Sequence, residues 1–404
     1  MAHGKVATIV AVEPVNLARP SLCRWGAAFL LAACLASAPA GVAHAGKYDW
    51  RVLKHISLDL RTEKPTFVCL STTLLDRGHL LNIGRPLEDR SALTMLDLDT
   101  MEITDYHVPE IPGPWVPPKD MMVVDVPLFY DRQNGMAGLL LRAGGLVSGD
   151  ALFAEWDLQS NRITRRLPLA KAAGAPWTSV KSAGYDPERR ECYVEILRPR
   201  AGPGTDPNRG GQFDVSIIGV TDRVRPIASF HAKAPFGSKG PYYDSARHRS
   251  MHVEYREHGV TTAYLVDLDT GVVREYELPP IIYGFAFDPD GKTAYVYTYP
   301  TSEVFKLDLT TGNITSRRRY GRPAHSLEFI APNTLVLMHN TMMHFIDSRT
   351  LRERFSLPPS RFHQGLPHLE GSYVLPGRIL ARIYYQLYVI DFPGLKPASP
   401  GGTQ

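Results

Sequence analysis

One unit recurs through this chain and limits what it can fold into: a short alternating apolar strand ending in Asp, a turn, then a second alternating strand. It reads Leu93-Thr-Met-Leu-Asp97-Leu-Asp-Thr-Met and returns as Leu152-Phe-Ala-Glu-Trp-Asp157-Leu-Gln-Ser-Asn. Further copies are Ala263-Tyr-Leu-Val-Asp267-Leu-Asp-Thr-Gly271, Val304-Phe-Lys-Leu-Asp308-Leu-Thr-Thr-Gly312, Met343-His-Phe-Ile-Asp347-Ser-Arg-Thr-Leu351 and Leu387-Tyr-Val-Ile-Asp391-Phe-Pro-Gly394. A degenerate copy, Asp214-Val-Ser-Ile-Ile-Gly219-Val-Thr-Asp222, carries Gly219 in the anchor position. The anchors at 97, 157, 219, 267, 308, 347 and 391 lie 39 to 62 residues apart, 49 on average. Alternation with a period of two buries one side of each strand. Seven such units predict an all-β fold, a single seven-bladed β-propeller of four-stranded blades.

The unit around Asp288 shows a blade in full. Ile282–Phe287 reads as the inner strand and Asp288-Pro-Asp-Gly291 as a turn, with Pro presetting φ and Gly supplying a positive φ. Lys292–Thr298, Glu303–Leu309 and 313–318 read as the other three strands. The Asp-Pro-Asp-Gly segment lacks the remaining ligand positions of a calcium loop. The recurring aspartates are expected to accept backbone N–H bonds and set hairpins, a structural role that repeats where a catalytic one would not. The last unit supplies only three strands, Ser372–Leu375, Arg378–Tyr384 and Gln386–Asp391. Trp50–Leu58 is expected to pair as its fourth and close the ring, covering an edge that would otherwise invite association. The propeller is then 46–396, with 397–404 a disordered tail.

The pattern of Asp288-Pro-Asp-Gly-Lys292, Tyr295-Val296 and Val304-x-x-x-Asp308-Leu-x-Thr-Gly312 resembles the YVTN-type propellers, which are similar in turn to the propeller subunits of quinoprotein amine dehydrogenases. The resemblance spans nearly all of 47–396 and rests on strand and turn residues, so it implies the fold and assigns no catalytic residue. In the tryptophylquinone enzymes of that group the cofactor belongs to a separate small subunit.

Ahead of the repeats, Arg19 and Arg24 precede an apolar run of about 12 residues from Trp25 to Ala36. It is too short for a membrane span, which takes roughly 20 residues. A positive flank, a short apolar run and small residues make 1–45 an export signal, with Ala43-His44-Ala45 as the cleavage site. The alternative is a lipoprotein signal over 1–33, in which Leu31-Ala-Ala-Cys34 leads to a lipidated Cys34 and a lipid anchor. The expected location is therefore periplasmic or extracellular. Cys69 and Cys192 lie in strand-like runs and read as two buried free thiols. The formal net charge of +4 is too balanced for an electrostatic nucleic-acid binder.

In a propeller the inner strands begin at one face of the central channel, and the second-to-third-strand loops open on the same face. Anchoring each blade on the aromatic before its first turn (Tyr185, Tyr243, Phe287, Phe329) and stepping back four residues gives Lys181, Lys239, Tyr283 and His325. These polar or cationic side chains are candidates for the channel mouth, with Arg198 and Arg200 at the base of a long insertion, and with His363. Facing loops add Arg256, His258, His339 and Asn340. The constellation suits a small anionic or polar ligand, or a partner protein. His325 and His363 are weak candidates to hold a divalent metal, with no channel-facing carboxylate evident beside them. His344, alternating with Phe345, reads as ordinary packing. No cofactor motif, Gly-x-Ser-x-Gly elbow or dinucleotide fingerprint occurs after residue 45. The expected function is ligand or partner binding at the channel face of an exported propeller. The alternative is a propeller enzyme, either a metal-dependent lyase or lactonase or the large subunit of a periplasmic amine dehydrogenase.

Overall fold

The computed structural model describes residues 49–57, 67–68, 73–75, 79–86, 92–107, 109, 128–142, 151–169, 179–200, 212–234, 241–254, 256, 259–364, 369–383 and 386–395. The chain divides into Met1–Lys47 and Tyr48–Gln404, and the strands described here all belong to the second unit. The expected export signal over 1–45, Cys34 and the expected tail at 397–404 lie outside the described residues. Among the described residues no helix is long and apolar enough to cross a membrane.

Seven antiparallel sheets follow one another along the chain. In blade 5 the strands are Ile282–Phe287, Thr293–Thr298, Glu303–Asp308 and Ile314–Arg319, hydrogen-bonded in that order. Blades 2, 3, 4 and 6 repeat the order. In blade 1 the first strand is split: Phe67–Val68 and Thr73–Leu75 both pair with Leu80–Pro86, so that sheet has five strands. Blade 7 is built from Leu369–Leu375, Arg378–Ile383 and Gln386–Asp391, and its fourth strand is Arg51–Ser57 from the start of the ring. The expected closure is therefore the observed one.

Alternation explains how the blades stack. Each sheet buries one side against the blade before it and the other against the blade after it. The result is seven apolar clusters, one for each blade-to-blade interface. Met251 and Leu265 of blade 4 pack on Phe285 and Val296 of blade 5. Ile56, Leu380 and Val389 of blade 7 pack on Leu81 and Leu96 of blade 1, which completes the circle. Full burial of such a side chain contributes about 1.5–3 kcal/mol.

The repeated aspartates do what their position predicts. In Asp97, Asp157, Asp267, Asp308 and Asp347, Oδ1 accepts the amides two and three residues on at 2.7–3.1 Å. The residue four places on is left-handed in all five, with φ from 53° to 77° at Met101, Asn161, Gly271, Gly312 and Leu351. Two anchors depart from expectation. Asp391 is fully buried and sets no such turn; it faces Arg51 of the closing strand at 3.5 Å and Arg378 at 4.0 Å. Gly219 is not the aspartate equivalent in blade 3. Cys192 pairs with Val220, so the position opposite the first residue of the second strand, Glu191, falls to Thr221. Gly219 has another reason to be small: a Cβ there would lie 2.0 Å from Glu191 Oε1, which takes the Arg225 guanidinium at 2.8 Å.

Candidate functional site

The chain path sorts the loops. Both tight hairpins of each blade, first-to-second and third-to-fourth strand, lie on one face, the turn face. The second-to-third-strand loops and the blade-to-blade connections lie on the other, the mouth face.

Register confirms the aromatic anchors: Tyr185, Tyr243, Phe287 and Phe329 each pair one rung in from the first turn, opposite Cys192, Ser250, Ala294 and Leu335. Among the described residues, stepping back four gives equivalent positions in blades 5 and 6 and not in blade 3. Pairing passes from Ile282–Thr298 to Gly284–Tyr297, and from Ala324–His339 to Ser326–Met338. Tyr283 and His325 are thus the extra residues of matching β-bulges, a device that re-aims a side chain at the end of a strand. Blade 7 has the same bulge at Glu370. In blade 3 the bulge falls at Ala183 instead, which leaves Lys181 in the ladder opposite Glu195. Lys239 lies outside the described residues.

Around Tyr283 the mouth face is tied together by backbone. The Arg256 carbonyl accepts Ile281 N–H at 2.9 Å, and the Ile281 carbonyl accepts Tyr299 N–H at 2.9 Å. On the other side of the same loop, the carbonyls of Ser302 and Thr301 accept the amides of Tyr320 and Gly321 at 3.2 Å. Ser302 Oγ donates to the Arg322 carbonyl. One frame therefore carries Arg256, Tyr299 and Arg322 from three successive blades. Tyr299 is 42% exposed, with its ring centroid 5.3 Å from that of Tyr283. Tyr242 Oη donates to the Tyr283 carbonyl at 3.5 Å, and burial pushes the hydroxyls of Tyr242 and Tyr297 well up, with Glu328 adding to the effect. Glu328, on the innermost strand of blade 6, accepts the Val374 amide of the next innermost strand at 3.1 Å. It is the inner carboxylate that sequence reasoning did not find.

Next to this frame, His339 ends the second strand of blade 6. It is 1% exposed, and neither ring nitrogen has a hydrogen-bond partner among the described residues. Burial, then His344 and His325, push its pKa down to about 3, so the ring is neutral at physiological pH. His344 lies edge-on to it at 4.6 Å between ring centroids. The expected packing role of His344 is incomplete, because its Nδ1 meets Glu353 Oε2 at 2.5 Å and that contact holds the Glu353 carboxyl below its ordinary value.

The other predicted residues are not gathered here. His363 Nδ1 meets Tyr388 Oη at 2.9 Å, on the third strand of blade 7, and Tyr388 stacks on His55 of the closing strand. His363 is thus on the outer half of its blade while His325 is on an innermost strand. Among the described residues no group of three or more His, Cys, Asp or Glu is placed to hold a metal ion. Arg198 is half-buried, with its Nε lacking a partner among the described residues. Arg200 turns to Asp214 of its own blade at 3.3 Å. The rest of the insertion, 201–211, lies outside the described residues.

Two further polar groupings stand apart from this frame. Ser250 Oγ lies 2.8 Å from His252 Nε2, and His252 Nδ1 lies 2.5 Å from Glu195 Oε2. The order hydroxyl, imidazole, carboxylate is that of an activated nucleophile. With Ser250, His252 and Glu195 only 0%, 1% and 2% exposed, a substrate has no route to it, and the chain of contacts instead locks blade 3 to blade 4. On the turn face, a cleft of about 400 Å³ between blades 2 and 3 is lined by Arg165, Arg189 and Arg190 with Glu155, Asp157 and Asp222. Arg165 is met by Glu155 at 3.4 Å and Arg189 by Asp269, so charges of both signs are already matched there.

No family model and no curated protein sequence matches the chain. Among solved structures 905 chains match, a breadth that speaks for fold and not activity. One is the Dos1 propeller, with a TM-score of 0.54 at 11% identity over 84% of this chain and 82% of that one. The chain is similar to it in fold: it is a seven-bladed β-propeller.

Proposed function

We propose that this chain is an exported binding propeller that takes a small anionic or polar ligand at its mouth face, between blades 4 and 6. The observation that carries this reading is the shared backbone frame, which holds Arg256, Tyr299 and Arg322 in fixed relation, with the bulge residue Tyr283 beneath Tyr299. Aromatic faces and guanidinium groups are the side chains on which binding energy concentrates. No catalytic step is proposed. The YVTN-type character and the likeness to amine dehydrogenase subunits belong to this proposal as statements about lineage, since strand and turn residues carry them.

Thermal unfolding of the purified protein against a panel of phosphate, citrate and nucleotides tests the reading. At least one anion should raise the melting temperature in a saturable way, and Tyr299→Ala and Arg256→Ala should weaken that effect. No stabilisation by any anion, or equal stabilisation of the variants, would overturn it. Export is tested separately by mass spectrometry of the mature N-terminus: Gly46 free, or Cys34 lipidated, supports it, and retention of residues 1–33 contradicts it.

A further inference from the structure

We propose that the outer edge of blade 5, the strand Ile314–Arg319, takes an acidic extended segment of a partner protein as a fifth strand. Its residues are not those of the proposed ligand site, so the two stand or fall separately.

That strand is the last in its sheet, and among the described residues it pairs with Glu303–Asp308 alone. Ser316 excepted, every residue in it is exposed. The outer strands of blades 3, 4 and 6 end at the mouth face on a buried apolar residue, Ala232, Leu278 and Leu357. This one ends on exposed Arg319. The Tyr320 amide points inward, donating to the Ser302 carbonyl at 3.2 Å. Alternation along an antiparallel strand then turns the backbone N–H and C=O of Arg317 and Arg319 outward. An incoming polypeptide strand pairs with such groups, whereas a nucleic acid or a polysaccharide cannot continue the ladder.

The side chains decide which strand can join. Arg317 and Arg319 lie opposite Phe305 and Glu303, on the side that Leu307 turns to blade 4. Two residues along a strand is about 6.6–6.8 Å, which is also the spacing of alternate side chains on an added strand. The Arg317 side chain is 73% exposed, and its one acidic neighbour is Glu303 at 3.9 Å. Arg319 makes no hydrogen bond or ion pair among the described residues. On the outer strand of blade 4, the residues turned this way are the uncharged Tyr276 and Leu278, while Glu275 and Glu277 turn to blade 3. Arg318 points to the other side, where it helps to lower the Glu353 carboxyl of blade 6. Arginines of other outer strands are bound within the protein: Arg165 at Glu155, Arg225 at Glu191 and Arg354 at Asp347. Two unspent guanidinium groups on one edge repel a second copy of that edge and attract carboxylates at alternate positions. The edge thus selects against self-pairing and for an acidic strand. Residues 1–48 hold a single acid, Glu13, and 397–404 none, so neither segment of this chain fits.

The test is fluorescence anisotropy of the full chain with labelled octapeptides in which Glu and Thr, Lys and Thr, or Glu and Pro alternate, and with a short single-stranded DNA as the competing polyanion. Wild type should bind the Glu-Thr peptide with a Kd below about 100 μM. The Lys-Thr peptide should bind about tenfold more weakly or worse, and so should the Glu-Pro peptide, because Pro keeps the charge but has no N–H to donate. Arg317→Glu combined with Arg319→Glu should weaken Glu-Thr binding about tenfold and strengthen Lys-Thr binding, a gain that loss of folding cannot produce. Arg319→Gln, at an exposed position, should weaken Glu-Thr binding about threefold and carries the test if the double variant misfolds. No binding of the Glu-Thr peptide to wild type would overturn the proposal. Equal binding of the Glu-Pro peptide would also overturn it, by showing attraction without an added strand. So would unchanged affinity in the variants, or tighter binding of the DNA than of the Glu-Thr peptide.

Discussion

Asp308 ends the third strand of blade 5, and the amides of Thr311 and then Thr310 hold its carboxyl below the ordinary range. A carboxylate with a lowered folded pKa stabilises the fold above its unfolded value of about 3.9 and loses that contribution as pH falls through the folded value. Asp308→Ala should therefore unfold at lower urea than wild type at pH 6, and the gap should narrow below about pH 4. A gap of the same size at pH 6 and pH 3 would contradict the assignment. Gly284 makes a sharper steric case, since a Cβ there would meet Tyr297 Cε1 at 1.9 Å. Gly284→Ala should cost about 1–3 kcal/mol in chemical denaturation, and a neutral result would contradict the packing described. At this scale the aspartates were legible in the sequence because an Asp before a turn acts on amides two and three residues away. Glu328 was not, and His339, which reads as a loop residue of the mouth, is the buried end of a strand. Nothing local marks a buried side chain whose meaning depends on which neighbours the fold brings to it.

At the scale of elements, the strand that closes the ring was legible because an unassigned alternating strand at one end matched a missing strand at the other. Arg51–Ser57 runs antiparallel to Gln386–Asp391, and Ile56 enters the interface between blades 7 and 1. Removal of residues 49–57 should leave Gln386–Asp391 as an open edge, and light scattering should then show self-association or loss of folded monomer. A monomer with wild-type melting would contradict the closure. The bulges were not legible. A spacing of four residues from the aromatic anchor is the same in blades 3, 5 and 6, yet the inserted residue is Ala183 in blade 3 and Tyr283 or His325 in the others. Where a strand gives up a rung depends on the sheet it joins, so Lys181 looked equivalent and is not. Blade 3 also hid its anchor, because Thr221 replaces the aspartate and a nearby glycine serves Glu191 instead.

At the scale of the whole molecule, seven clusters at seven interfaces make a closed circle, and the path of the chain through it separates a face of tight turns from a face of loops and connections. The turn face spends its polar groups on itself: Asp186 accepts the Glu188 and Arg189 amides, and Asp131 the Asn134 amide, in a second series that ends the inner strands. The mouth face keeps Tyr299 exposed and both nitrogens of His339 without partners among the described residues. Hydrogen exchange of the protein with and without saturating phosphate measures that asymmetry. Slowed exchange at 320–323, 299–302 and 339–342, with the Asp-anchored turns unchanged, is the predicted result. Protection confined to the turns at 131–135 and 186–190, or none anywhere on binding, would contradict it.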